Sequence, residues 1–225
     1  MEKESRRNLI ISGLGSSNGG TVRLAKIEGI GRVDGDIICN DFILNGKADV
    51  HGSIKASTTD IKGTAAVKGN LHSDRLHIHG KVTIEGDLIG ENIQLNGMVS
   101  VKGKCETEKF NMCGRLQMGV LNAGNIQITL QGNSNIAEIG GEHIQIRKQP
   151  GIDFAKWLKV LSIPLGNKLT AKIIEGDNVC VEYTTAEVVR GTNVTIGSGC
   201  EIGLVEYKAK FLQEKGSKVN RLEQI

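Results

Sequence analysis

The chain has 225 residues, of which 30 are glycine and two are proline; 39% are hydrophobic, 3% are aromatic, and the formal net charge is +3. The aliphatic content is sufficient for a packed core and argues against a disordered chain, while the near absence of proline excludes collagen. With so little net charge and so few aromatics, the chain lacks the basic patch and stacking platform typical of nucleic-acid binding, so no nucleic-acid partner is expected.

The first segment, 1–22, is predicted to be flexible. Its only apolar run, Leu9, Ile10 and Ile11, follows two arginines and is too short for a secretory signal, which needs roughly 7–15 apolar residues. The five cysteines include no Cys-x-x-Cys pair, which is typical of reduced thiols in a cytoplasmic protein. We therefore expect a cytoplasmic location.

Residues 23–122 carry the most specific signal in the sequence, a repeat in which the same pattern returns with a step of 17. Apolar columns keep the same register, for example Ile27, Leu44 and Ile61. The glycine column that defines the step consists of Gly29, Gly46, Gly63, Gly80, Gly97 and Gly114.

Each repeat alternates apolar and polar residues, as in the stretch from Ile61 to Leu71, which is the period of a β-strand. Glycine interrupts the alternation where a corner can use a positive φ. Three short strands per coil, stacked with their copies ~4.8 Å apart, form a parallel β-helix, or β-solenoid. An outward column of alternating charge, including Lys68, Glu85 and Lys102, favours the same register.

Beyond this main β-solenoid the strict step is lost, but the strand pattern persists. Additional strands are predicted over 123–146, where Ile126-Gln-Ile128 alternates. A second, less regular β-solenoid module is predicted over 171–207, where the stretch that begins at Ile174 is echoed from Val189. The fold prediction is therefore all-β throughout, with one exception.

The exception is 147–170, a linker with a short amphipathic helix that Asp153 can cap and Pro164 can end. A helix of barely two turns is marginal alone, so we favour one that covers exposed apolar residues of the solenoid. A peripheral membrane contact, with aromatic residues at the headgroups and lysines against anionic lipid, is the alternative. Its candidate residues are Phe154, Lys156, Trp157, Leu158, Lys159 and Leu161.

No catalytic constellation is found. His77 and His79 flank the inward Ile78 and are a plausible start for a zinc site, but a site needs three or four ligands. There is no phosphate-binding Gly-x-x-x-x-Gly-Lys motif and no Gly-x-Ser-x-Gly elbow. We therefore expect no catalytic residue, no metal and no cofactor.

The two ends of a solenoid expose unpaired backbone groups above an apolar core, and such ends associate unless they are capped. Neither end shows an evident cap, and a basic, mobile tail is predicted over 208–225. End-to-end assembly of the chain with itself is therefore expected. The predicted polymerisation residues are Leu9, Ile10, Ile11, Val205, Tyr207 and Phe211.

Repeat units such as Leu95-Asn-Gly97-Met-Val-Ser-Val101-Lys-Gly103 resemble those of bactofilins, bacterial cytoskeletal proteins, over about 25–120. The resemblance implies a right-handed β-helix and non-polar filaments that need no nucleotide. It further implies a scaffold at the inner face of the cell membrane, with envelope or motility proteins and a paralogous sister as partners. Cell shape, envelope growth and appendage assembly are the processes implied.

A competing interpretation is an enzyme on a left-handed hexapeptide-type β-helix, either an acyltransferase or a carbonic anhydrase-like zinc enzyme. The step of 17 speaks against it, although Val189 to Ile202 is locally similar to hexads. A secreted solenoid, such as a polysaccharide lyase, has little support because export signals and acidic clusters are missing.

Overall fold

The computed structural model describes residues 7–149 and 167–225, and every regular element within them is a β-strand. Most strands bend around corners of the coil, so a single strand can continue over more than one face. The strands are β1 (Leu9–Ser17), β2 (Gly20–Thr21), β3 (Leu24–Val33), β4 (Ile37–Val50), β5 (Ile54–Val67), β6 (Leu71–Ile84), β7 (Leu88–Leu130), β8 (Ser134–Lys148), β9 (Leu169–Val181), β10 (Thr184–Ile196), β11 (Glu201–Gln213) and β12 (Lys218–Gln224).

All strands belong to one parallel sheet, in which β1 and β3 to β12 follow one another in sequence order and β2 pairs with β4. A chain whose consecutive strands pair in parallel without crossing over winds as a solenoid. The prediction of an all-β parallel solenoid is confirmed. About twelve coils at the ordinary strand spacing give a rod ~58 Å long.

Each coil has three faces around one apolar core. In β4 these are face A (Ile37–Cys39), face B (Phe42–Asn45) and face C (Lys47–Val50), and the same positions of other coils take the same names. Side chains alternate inward and outward along each face, so each buried side chain stacks on its counterpart in the next coil. Phe42 and Leu44, for example, lie over Thr59 and Ile61. The core is thus one continuous column along the rod.

The glycine column predicted from the constant step lies at the corner between faces B and C and has positive φ, for example 130° at Gly63. A Cβ on Gly63 would lie 2.0 Å from the backbone oxygen of Gly46, so only glycine fits the corner.

A second glycine column lies between faces C and A and consists of Gly35, Gly52, Gly69, Gly86 and Gly103. These residues do not have positive φ, so glycine is needed there for a different reason. The Asp36 carboxylate accepts a hydrogen bond of 2.7 Å from the backbone N–H of Ser53 in the next coil. A Cβ on Gly52 would lie 2.5 Å from that carboxylate oxygen. The same Cβ would lie 2.5 Å from the backbone carbonyl carbon of Gly35, so these glycines are required by close contact with the preceding coil and not by a special backbone angle.

After β7 the coils change length while the buried columns stay in register. Leu121 pairs with Ile139, Ile139 with Ile174, Ile174 with Val189, Val189 with Val205, and Val205 with Leu222. In residue number, the corresponding steps are 18, 35, 15, 16 and 17. The second module predicted over 171–207 is thus continuous with the first, because β8 pairs directly with β9.

Two segments expected to be flexible contain strands in the structure. In 1–22, β1 pairs with β3 along its full length. In 208–225, β11 continues to Gln213, and β12 pairs with Glu201–Tyr207. Val219 and Leu222 lie over the buried Ile202 and Val205, which explains why a lysine-rich segment continues the stack.

Candidate polymerisation interface

The amino-terminal end of the rod is formed by β1. One edge of β1 pairs with β3, and no described strand pairs with the other edge. Leu9 and Ile11 point into the core and are only 8% and 7% exposed. Ile10 points outward and is 58% exposed. All three predicted residues thus lie at the end of the stack, two of them over its core.

The carboxyl-terminal end is formed by β12 and the last part of β11. Phe211 pairs with the buried Val194, and its ring stacks on that of Tyr207 with the centroids 5.6 Å apart. Both rings are only partly buried, and no described strand covers residues 210–213. Of the three predicted residues, therefore, only Phe211 lies at the end of the stack, because Tyr207 pairs with Gln224 of β12.

Val205 also lies one coil below the end. It is fully buried, because Leu222 of β12 lies directly over it. Leu222 is 46% exposed and is the terminal apolar residue of this column, with Val219 beside it. Val219 and Leu222 were not predicted as end residues because their segment is rich in lysine. Their spacing in the sequence nevertheless repeats that of Ile202 and Val205, and this pattern could have identified them.

Outward charges along the rod form the predicted ladder. The Lys68 Nζ and Glu85 Oε1 atoms are 2.7 Å apart, and Lys102 Nζ lies 3.5 Å from the same oxygen. Hydrogen bonding by Lys68 and the charge of Lys102 hold the pKa of Glu85 below its usual range. The ladder joins three successive coils on the surface, which is a structural role.

The two histidines considered as metal ligands do not lie in a metal site. His77 and His79 both point outward, and His79 Nε2 lies 3.2 Å from the amide of Asn96. Within 7–149 and 167–225, no group of three or more His, Cys, Asp or Glu side chains could hold a metal ion.

Three cysteines lie in the core, where they are poor nucleophiles. Burial raises the pKa of Cys39 to about 11, that of Cys105 to about 12 and that of Cys200 to about 11. These thiols therefore stay protonated at neutral pH.

The residues predicted to contact a membrane, 154–161, lie outside the described part of the chain. The structure does show the strand ends on either side of them: β8 ends at Lys148 on face B, and β9 begins at Leu169 on face C. The described chain therefore ends and begins again near the corner between faces B and C, on the side of the rod. In the described residues, no helix is long and apolar enough to cross a membrane.

Comparison with known proteins gives a consistent result. The profile of the bactofilin family, described as polymer-forming cytoskeletal, matches residues 6–106. The uncharacterized protein YhbE of Bacillus subtilis (strain 168) is 46% identical over 230 aligned positions, which cover 94% of this chain and 95% of YhbE. YhbF of the same organism is 41% identical over 93 residues, 41% of this chain and 36% of YhbF. No solved structure matches significantly.

The family profile falls on the coils of constant step, and the relative extends the similarity over nearly the whole chain. The chain belongs to the bactofilin family of polymer-forming cytoskeletal proteins.

Proposed function

We propose that this protein is a cytoskeletal scaffold that assembles end to end into filaments without nucleotide and organises other proteins at the cell envelope. Family membership supports polymer formation. The observation that carries the proposal is the open apolar core at the carboxyl-terminal end, where Phe211 and Leu222 end two buried columns. No catalytic role is needed to explain any described residue.

The geometry of the ends suits the stacking of whole rods. Leu9 of β1 and Phe211 of β11 are the two terminal residues of the same buried column of face B, and no described strand pairs with the outer edge of either strand at these residues. A second copy seated on either end extends both the backbone ladder and the apolar core.

Filaments are the test of this proposal. We expect negative-stain electron microscopy of the purified protein, without nucleotide or metal, to show filaments one rod wide. Phe211→Arg is expected to raise the concentration at which they form by ~10–100-fold, since losing one buried apolar contact costs about 1.5–3 kcal/mol.

Met98→Arg is the matched control, because Met98 is 40% exposed on the side of the rod. It should assemble as the unchanged chain does. Normal assembly of both Phe211→Arg and Leu222→Asp would show that this end is not the interface.

We further propose that filaments lie at the inner face of the cell membrane and include a paralogous sister. Two B. subtilis proteins related to this chain support a sister. Lys148 and Leu169, the strand ends on either side of 150–166, lie on the side of the rod. This position supports lateral membrane contact, because such a contact leaves both ends of the rod available for stacking. The processes we propose are cell shape, envelope growth or motility assembly.

Co-sedimentation with vesicles of anionic lipid tests the membrane part. Trp157→Glu should reduce the bound fraction severalfold, because it removes the amphipathic aromatic residue suited to the headgroup region. Val160→Glu, which lies outside the predicted apolar face, is the control. Equal binding of Trp157→Glu and the unchanged chain would rule out contact through this segment.

A further inference from the structure

The outward side chains of face B differ from those of the other two faces. From the coil of Ile93 to that of Val194, carboxamides are the commonest of these side chains, and Lys109, Arg147 and Glu182 are the charged ones. The central column contains Gln94, Asn111, Gln127 and Gln145, and a neighbouring column contains Asn178 and Asn193. We propose that this carboxamide face is where a second copy of the chain, in a neighbouring filament, docks side by side. The inference rests on the proposed end-to-end assembly.

Face B differs from faces A and C in its net charge. Face A and its corners carry an excess of acidic residues, including Glu108, Glu138 and Glu142, whereas face C and its corner carry Lys81 and Arg115. Two copies that meet through A and A, or through C and C, bring like charges together, which is unfavourable. The charges of Lys109, Arg147 and Glu182 nearly cancel on face B, so two copies can meet there without that cost.

Carboxamides also make the face complementary to itself. Each Asn or Gln side chain has both donors and an acceptor, so any amide can pair with its counterpart on an identical surface. An isologous contact between two copies requires such self-complementarity.

The central column is free to make these bonds. Asn193 donates to the Asn178 carbonyl at 2.8 Å, and the Asn178 amide lies 3.2 Å from His143 Nδ1, so this neighbouring column is bonded along the rod. By contrast, Gln127 and Gln145 make no side-chain hydrogen bond to any residue in the described ranges 7–149 and 167–225. Their amides point outward with unused donors and acceptors.

The shape of the face suits interdigitation. Shallow grooves of 430 and 310 Å³ flank parts of the central column, and both include Gln127 in their linings. A column of amides on one copy can therefore lie in the groove beside the column of the other.

The area of face B determines whether single copies pair or only filaments do. Five residues across and six coils along give ~15 by ~29 Å, or roughly 430 Å² per copy and about 900 Å² for a pair. Stable interfaces bury ~1,200–2,000 Å². Single copies are therefore expected to pair weakly, whereas filaments that repeat the contact along their length pair strongly.

The experiment compares the full-length chain with the triple variant Gln94→Glu, Gln127→Glu, Gln145→Glu. These changes preserve side-chain size but place like charges on both surfaces of the proposed contact. The control, Thr64→Glu, Gln117→Glu, Asn135→Glu, puts the same three charges at exposed positions on face C. Filaments are counted by electron microscopy, and bundles are measured by low-speed pelleting.

We expect the unchanged chain and the control to form paired filaments that persist at high salt. The face B variant should form single filaments of normal length, with at least a ~10-fold smaller low-speed pellet. Normal pairing of that variant, or unpaired filaments of the unchanged chain, would overturn the inference while leaving end-to-end assembly intact. Pairing that salt abolishes would also overturn it, in favour of contact between the charged faces. A complete absence of filaments would refute the proposed function and this inference together.

Discussion

The rod contains two regions that build the same stack in different ways. From β3 to the middle of β7 every coil has the same length, as the pairing of Gly29, Gly46 and Gly63 shows. From the second part of β7 to β12 successive coils differ in length, and one includes residues 150–166 as an insertion. Both regions nevertheless form one parallel sheet over one core.

The comparison shows that buried columns, not coil length, hold the register. Ile139, Ile174 and Val189 stay aligned although the first step between them is more than twice as long as the second. A strand that slips by one residue turns its apolar side chains to the solvent, so the faces cannot slip. The corners have only to close the chain, so their length can vary.

The constant coil length of the first region is explained by backbone contacts at its glycine corners. Its glycine corners pack directly on the backbone of the preceding coil, as Gly63 does on Gly46. In the second region, a Cβ on Gly132 would meet only the flexible side chain of Arg115, at 3.0 Å. The corner between faces B and C is therefore fixed by backbone contacts in the first region and can adjust in the second. Glycines on face A of the second region, such as Gly176, still pack on a backbone oxygen of the preceding coil, at 2.2 Å.

Substitution of a corner glycine is expected to have the largest effect on this contrast. Gly63→Ala should lower the free energy of unfolding by at least about 3 kcal/mol, because it combines a positive φ with overlap on a backbone oxygen. Gly132→Ala is the matched change in the second region. Gly132 also has positive φ, but its Cβ would meet the side chain of Arg115 at 3.0 Å, which can move, so the change should cost only about 1 kcal/mol.

Urea denaturation followed by circular dichroism measures both variants. Equal destabilisation would contradict the distinction between backbone-packed and adjustable corners. In that case the constant step would need another explanation than the glycine contacts.

Insertion of a Gly-Ser dipeptide should lower the free energy of unfolding less than Gly63→Ala does, and again more in the first region than in the second. Placed between Gly63 and Thr64, it displaces a corner that is packed on both neighbouring coils, and we expect a loss of about 2 kcal/mol. Placed between Gly132 and Asn133, it lengthens an already enlarged corner and should cost no more than ~0.6 kcal/mol. The same denaturation measurement applies, and a larger loss at Gly132 than at Gly63 would reverse the ranking of the two regions.

Much of the fold could be predicted because the repeat is local and visible. The columns of Ile27, Leu44 and Ile61 identified strand period, coil length and register together. Less of the candidate interface could be predicted. Leu9, Ile10 and Phe211 lie at the ends as expected, but Val205 is covered because β12 adds one more coil than the sequence pattern indicated.

Alternation of period two and glycines that recur with a constant step identify the chain as a parallel solenoid from its residues alone, since they allow few other ways to bury the aliphatic side chains. Which residues form the last coil, and why each glycine column exists, follow only from the folded chain. Both depend on contacts between residues one coil apart, as between Asp36 and Ser53, where the space available to a side chain is set by the backbone of another coil. The neutral carboxamide face likewise emerges only when the irregular coils are stacked, because their varying lengths hide its columns in the linear sequence.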